Sequence, residues 1–185
     1  MERLQQTRTR LLDPSVRVLV VGEFKQGKSQ LVNALLIAPV CPVDDDVATA
    51  VPTVIRNSDT VSAVLVTAPA DGADRTDTNG SGRTVVPIEQ LPRFIAESGS
   101  RAHCGRVIRA EIGIPRQLLA DGLVLVDTPG VGGLGSMHNA STVAELPSAD
   151  AVLLVSDASQ EYTAPELEFL RQAIRLCPNV VCVLT

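Results

Sequence analysis

The chain alternates between short, almost uniformly apolar runs and longer stretches in which apolar residues recur every three or four positions. Val16-Arg17-Val18-Leu19-Val20-Val21-Gly22 is a β-branched run of the kind found in a strand buried on both faces. After a glycine turn, Leu31, Val32, Leu35 and Leu36 recur at helical spacing and predict a helix over Lys28 to Leu36. Strand-like runs follow at Val51 to Arg56 and Val61 to Thr67, and the Asn57-Ser58-Asp59 turn signal between them predicts a hairpin. From Pro69 to Thr84 the composition shifts to Asp, Gly, Thr, Asn and Ser, a loose surface excursion. Ile88 to Ser98 reads as a short helix limited by Pro92, Arg106 to Ile114 as a strand, and Leu123 to Val126 as another buried strand.

Ala151 to Ser156 and Val180 to Leu184 are again short apolar runs. Between them, Thr163-Ala164-Pro165-Glu166 has the form of a capping box, which starts a helix whose expected buried face is Leu167, Leu170, Ile174 and Cys177. Strands alternating with helices predict an α/β fold: a mainly parallel sheet with helices on both faces and an antiparallel hairpin at one edge. Upstream, Met1 to Leu12 reads as a short helix with a thin apolar stripe that stops before Asp13-Pro14.

Composition narrows the function. With 185 residues the chain has room for one core, and with 2% aromatics that core is aliphatic. The scarcity of aromatic rings and a net charge of -5 argue against nucleic acid as a partner. Cys41, Cys104, Cys177 and Cys182 fit neither a zinc site nor a disulfide framework and read as thiols in a reducing, cytoplasmic setting. The apolar runs fall far short of the roughly 18 to 20 residues that a spanning helix requires.

Chemistry enters at the end of the first strand. Gly22-Glu23-Phe24-Lys25-Gln26-Gly27-Lys28-Ser29 matches the phosphate-binding pattern of glycine, four residues, then Gly-Lys-Ser, in its required place between strand and helix. Gly22 and Gly27 let the backbone curl around phosphate, Lys28 meets the β- and γ-phosphates, and Ser29 ligates magnesium. Glu23, Phe24, Lys25, Gln26 and Gln30 line or flank the same loop. A second signature, Val124-Leu125-Val126-Asp127-Thr128-Pro129-Gly130, places an aspartate to hold magnesium through water and a glycine N–H to reach the γ-phosphate. Together they predict a GTPase-type site with a γ-phosphate switch. The switch also needs a threonine ahead of the second strand. Thr49 and Thr53 both qualify by position; Thr49 is preferred, because Val51 onward reads as strand and would turn Thr53 away from the metal. Lys25 stands where a positive charge lies over the β–γ bond, or else is a solvated loop residue. The run Asp44, Asp45 and Asp46 reads as a solvated face, and His103 and His138 lack any partner spacing.

Four phrases carry a resemblance: Gly22 through Leu36, Thr49-Ala-Val-Pro-Thr53, Ile114-Pro115 leading into Leu123 through Gly133, and Ser156 through Thr163. They are similar to the bacterial dynamin-like GTPases, nearest the isoniazid-inducible actinobacterial members. The resemblance implies a GTPase that hydrolyses GTP to GDP with magnesium, forms a homodimer across its GTPase heads, and remodels membrane lipid through a helical stalk. It also implies that 1–13 is a helix leading from a neck or stalk and that 14–185 is a partial, C-terminally truncated GTPase domain. Two departures qualify it. The base-reading motif, Asn or Thr then Lys, any residue, Asp, falls beyond Thr185, which leaves a truncated, non-catalytic nucleotide-binding or interaction module as the alternative. Eukaryotic dynamins carry Gln-Ser where this loop has Phe24-Lys25.

Overall fold

The computed structural model describes residues 14–42, 51–68, 82–95, 107–129 and 142–185. Eight strands form one sheet: β1 (Val16–Val21), β2 (Thr53–Asn57), β3 (Ser62–Thr67), β4 (Arg83–Val86), β5 (Val107–Ile114), β6 (Leu123–Asp127), β7 (Ala151–Ser156) and β8 (Val180–Leu184). Their order is β4-β3-β5-β2-β6-β1-β7-β8. β6, β1, β7 and β8 run parallel, so Val21, Asp127, Ser156 and Leu184 end at one edge of the sheet. β2 runs antiparallel to β6 and starts at that edge, with Thr53 opposite Asp127. An edge where parallel strands end together is where α/β proteins place their ligands.

Alternation along the strands divides the core in two. Val18, Val20, Ile55, Leu125 and Val155 face α1 (Lys28–Leu36) and α2 (Leu91–Ile95), whereas Leu19, Val21, Val126, Val152 and Leu154 face α3 (Ala164–Leu176). Leu19, Val20 and Val21 are fully buried, the consequence of helices on both faces, and each such side chain contributes about 1.5–3 kcal/mol by leaving water.

Four expectations need correction. β2 and β3 do not form a hairpin, because β5 lies between them, parallel to β2 and antiparallel to β3. The connection after β2 passes over the end of β5 at Gly113, where an added Cβ would meet Ser62 Oγ at 2.7 Å and Ser58 Cβ at 2.8 Å. The antiparallel edge exists, but it is made by β3 and β4. Arg83 and Thr84, assigned to the surface excursion, belong to β4, where Arg83 pairs with Glu111 of β5 at 2.5 Å. Between Ile88 and Ile95 the single expected helix is a 3-10 turn, Ile88–Gln90, followed by α2, with Pro92 in the first turn, where proline is tolerated.

The fourth correction concerns α3. Its capping box is present: Thr163 Oγ1 accepts from Glu166 N at 3.3 Å and Glu166 Oε2 accepts from Thr163 N at 2.8 Å. That reciprocal pair folds Glu166 back onto the helix start and turns Glu166, Phe169 and Ala173 inward. Leu170 is partly buried and Cys177 buried as expected, but Leu167 and Ile174 are 38% and 63% exposed. The expected N-terminal helix falls outside the described residues. The rotation of α3 makes a prediction: Phe169→Ala should lose about 3–5 kcal/mol in urea unfolding, and Ile174→Ala less than about 1 kcal/mol. Comparable losses at both positions would restore the original face.

Candidate functional site

The glycine-rich loop leaves β1 at the strand-end edge and enters α1. Gly22 has no alternative there, since a Cβ would lie 2.2 Å from the carbonyl oxygen of Val155 on β7. Gly27, at φ 77°, takes the left-handed conformation and serves as N-cap of α1. No side chain caps this helix start and no acidic residue occupies its first turn, so its free N–H groups and positive end suit an anion. Lys25 is also left-handed, at φ 65°, which costs a non-glycine residue on the order of 1–2 kcal/mol. Three neighbours hold the loop. The Gln26 side-chain oxygen accepts from Asp157 N just after β7, Thr185 Oγ1 donates to Gln26 O at 3.3 Å, and Thr163 Oγ1 donates to Glu23 Oε1 at 2.6 Å.

Two residues from the motifs meet beneath this loop. Ser29 Oγ donates to Asp127 Oδ2 at 2.8 Å, joining the start of α1 to the end of β6. Asp127 is fully buried, and its other oxygen, Oδ1, has no hydrogen-bond partner among the described residues. Burial pushes the Asp127 carboxyl above its ordinary value; the Ser29 hydroxyl, the Lys28 ammonium and the Cys41 thiol pull it back. Lys28 is buried too, and its Nζ donates to Glu23 O at 2.5 Å. Desolvation lowers the Lys28 ammonium, against the opposing charges of Asp127, Glu23 and Glu166. A hydroxyl beside a carboxylate with a spare buried oxygen is a hard donor set of the kind that suits magnesium. Among the described residues no group of three or more His, Cys, Asp or Glu could hold a metal. An ion here would therefore take its remaining ligands from phosphate and water, as magnesium commonly does.

The remaining predicted residues divide by position. Phe24 and Lys25 are exposed at the loop tip, Lys25 Nζ lying 5.6 Å from the centre of the Phe24 ring, and Gln30 is exposed on α1. Thr49, Gly130, Asp44, Asp45, Asp46, His103, His138 and Cys104 lie outside the described residues. The ground for setting Thr53 aside does not hold in the structure. Thr53 pairs with Asp127 across the ladder, so their side chains share the face toward α1, and the buried Thr53 hydroxyl has no partner among the described residues.

Several contributors were not found by sequence reasoning. Asn33 Oδ1 accepts from Val40 N and Cys41 N at 2.9 and 2.8 Å while its Nδ2 donates to Cys41 O, which brings the segment after α1 against the site. The Cys41 thiol is pushed well up by burial and by the Asp127 carboxylate beside it. Thr128 fastens the turn after β6 by donating from Oγ1 to Val20 O at 2.8 Å. A short polar residue at the end of a turn gives no periodic signal, so only the fold reveals these contacts.

Comparison with known proteins follows the same lines. The model of the dynamin family matches residues 18–185. The isoniazid-induced protein IniA of Mycobacterium tuberculosis is 46% identical over 186 aligned residues, covering 100% of this chain and 28% of that protein. A bacterial dynamin-like protein of Nostoc punctiforme is 28% identical over 161 residues, 86% of this chain and 23% of its own length. A solved structure described as an oligomerised bacterial dynamin pair, with a role in long-range sensing and tethering of membranes, superposes with a TM-score of 0.70 at 22% identity. It covers 98% of this chain and 27% of that one. The chain thus spans less than a third of the length of these relatives.

The buried carboxylate makes a testable demand. A folded-state pKa raised above the unfolded value means that the stability contribution of Asp127 is present below about pH 3.8 and lost as pH rises through the folded value. In the absence of metal and nucleotide, Asp127→Asn should therefore be more stable than wild type at pH 7.5. The gap should narrow toward pH 4.5 when urea midpoints are compared. A variant less stable than wild type at both pH values would contradict the assignment.

Proposed function

This chain belongs to the dynamin family, and from that premise we propose that it is the phosphate-binding part of a GTPase domain that binds GTP and hydrolyses it with magnesium. The observation that carries the reading is the 2.8 Å hydrogen bond between Ser29 and Asp127 beneath an empty-capped helix start and a buried lysine. Backbone N–H groups from Gly22 to Ser29 would wrap the phosphates, and the Lys28 ammonium would move from Glu23 O to the β- and γ-oxygens. Ser29 would hold magnesium directly and Asp127 through water, with Thr49 completing the shell and Gly130 sensing the γ-phosphate. Magnesium held there would offset the negative charge that develops on the phosphate oxygens during hydrolysis. No side chain need bond to phosphorus, because positioning and charge stabilisation account for the acceleration.

The family and the relatives also support coarser proposals for the whole protein. We propose a homodimer across GTPase heads, a peripheral association with membrane lipid through regions beyond this chain, and membrane remodelling as its role in the cytoplasm. No helix among the described residues is long and apolar enough to cross a membrane.

Substitution at the metal ligand tests the reading. Ser29→Asn should weaken binding of a fluorescent non-hydrolysable GTP analogue at least about tenfold more than binding of fluorescent GDP, since the metal joins the two outer phosphates. Equal losses would remove Ser29 from the metal shell. Lys25 is assigned a catalytic part, in which pairing of two heads would draw its charge from the Phe24 ring to the β–γ bridge. Lys25→Ala should then lower GTP turnover at least about tenfold, with affinity for GDP nearly unchanged, as for a contact made in the transition state. Wild-type turnover at concentrations where heads pair would leave Lys25 as a solvated residue.

A further inference from the structure

The capping box of α3 does more than start a helix. Thr163 has one hydroxyl proton and two carboxylates within reach, Glu23 Oε1 at 2.6 Å and Glu166 Oε2 at 3.1 Å. The shorter contact is the one to the phosphate loop, 140 residues away in sequence. Meanwhile the cap itself, Glu166 N to Thr163 Oγ1, is long at 3.3 Å. The hydroxyl thus favours the loop over the helix it caps. A charge-assisted O–H···O⁻ bond of this length is about twice as strong as a neutral one. The residue it grips is the same one whose backbone carbonyl holds Lys28 Nζ. Beside it, Glu166 is buried with its Oε1 lacking a partner among the described residues, and its charge is felt at Lys28.

We infer that Thr163 is a positioning residue for the phosphate loop: by holding the Glu23 side chain it fixes the first turn of the loop and keeps Lys28 drawn inward before nucleotide arrives. The inference deepens the nucleotide-binding reading and rests on it. Two loose ends of the sequence meet in it. The loop residue after Gly22 has no part in the phosphate-binding pattern itself, and the capping box is ordinarily only a helix signal. Joined, they tie the loop to α3, which packs on the sheet face opposite α1. Movement at the start of α3 would therefore reach the phosphates through one hydrogen bond.

A double-mutant cycle on the full-length protein tests the link, read by titration with fluorescent GDP. Thr163→Val and Glu23→Ala each remove the contact, and each should weaken GDP binding at least about tenfold, the effect of losing pre-organisation worth one hydrogen bond to a charged group. Together they should lose no more than the larger single change, because both delete one interaction. Thr163→Ser should bind within about twofold of wild type. If Thr163→Val fails to fold, Glu23→Ala read against Thr163→Ser carries the test alone. Additive losses, wild-type affinity in either single variant, or a serine variant as weak as valine would overturn the link while leaving the nucleotide reading intact. A wild-type protein that binds neither GDP nor GTP would overturn both.

Discussion

A carboxylate enclosed at the end of a central strand can be kept only if something answers its charge, and in this molecule that constraint organises the site. Asp127 is fully buried, held by Ser29 at 2.8 Å and within the field of Lys28. Those two residues are neighbours on the first turn of α1, so the start of α1 has to dock against the end of β6. The docking brings the glycine-rich loop over the strand ends. Gly22 then has to pass beneath the Val155 carbonyl, where no side chain fits. Keeping that charged group buried costs stability, as is common at functional sites.

The central half of the fold was readable because it is built from uniform apolar runs. β1, β6, β7 and α1 follow from patterns whose only stable environment is a sheet covered on both faces, and the phosphate loop carries its own stereochemical demand. Pairing was less readable. Whether β2 and β3 meet directly or flank a third strand depends on Gly113 admitting the connection that crosses β5, and a single glycine in a strand-like run does not announce this. The face of α3 was misread because Leu167 and Ile174 compete with Phe169 and Ala173 for the interior, and the capping pair decides between them. β4 is short, and three of its four residues are exposed, so it left almost no hydrophobic signal.

The candidate site shows the same division. Ser29, Lys28 and Asp127 were legible because phosphate and metal chemistry dictates residue types at set spacings. The contacts that Asn33, Thr128, Thr163 and the Glu23 side chain make were not, because they are hydrogen bonds between segments set apart in sequence. Thr53 was set aside on a strand orientation that the β2–β6 register reverses. The loop is consequently less autonomous than its motif suggests: β7 holds it through Gln26, the end of β8 through Thr185, and α3 through Glu23. The chain covers less than a third of the length of these relatives.

The account's central claim is that this loop binds the phosphates of a guanine nucleotide through Lys28. The most direct measurement is the affinity of full-length Lys28→Ala protein for fluorescent GDP, compared with wild type at matched folding. The lost contact is charge-assisted and desolvated, worth about 1.5–3 kcal/mol or more, so the dissociation constant should rise at least about tenfold. An unchanged dissociation constant in the folded variant would contradict it.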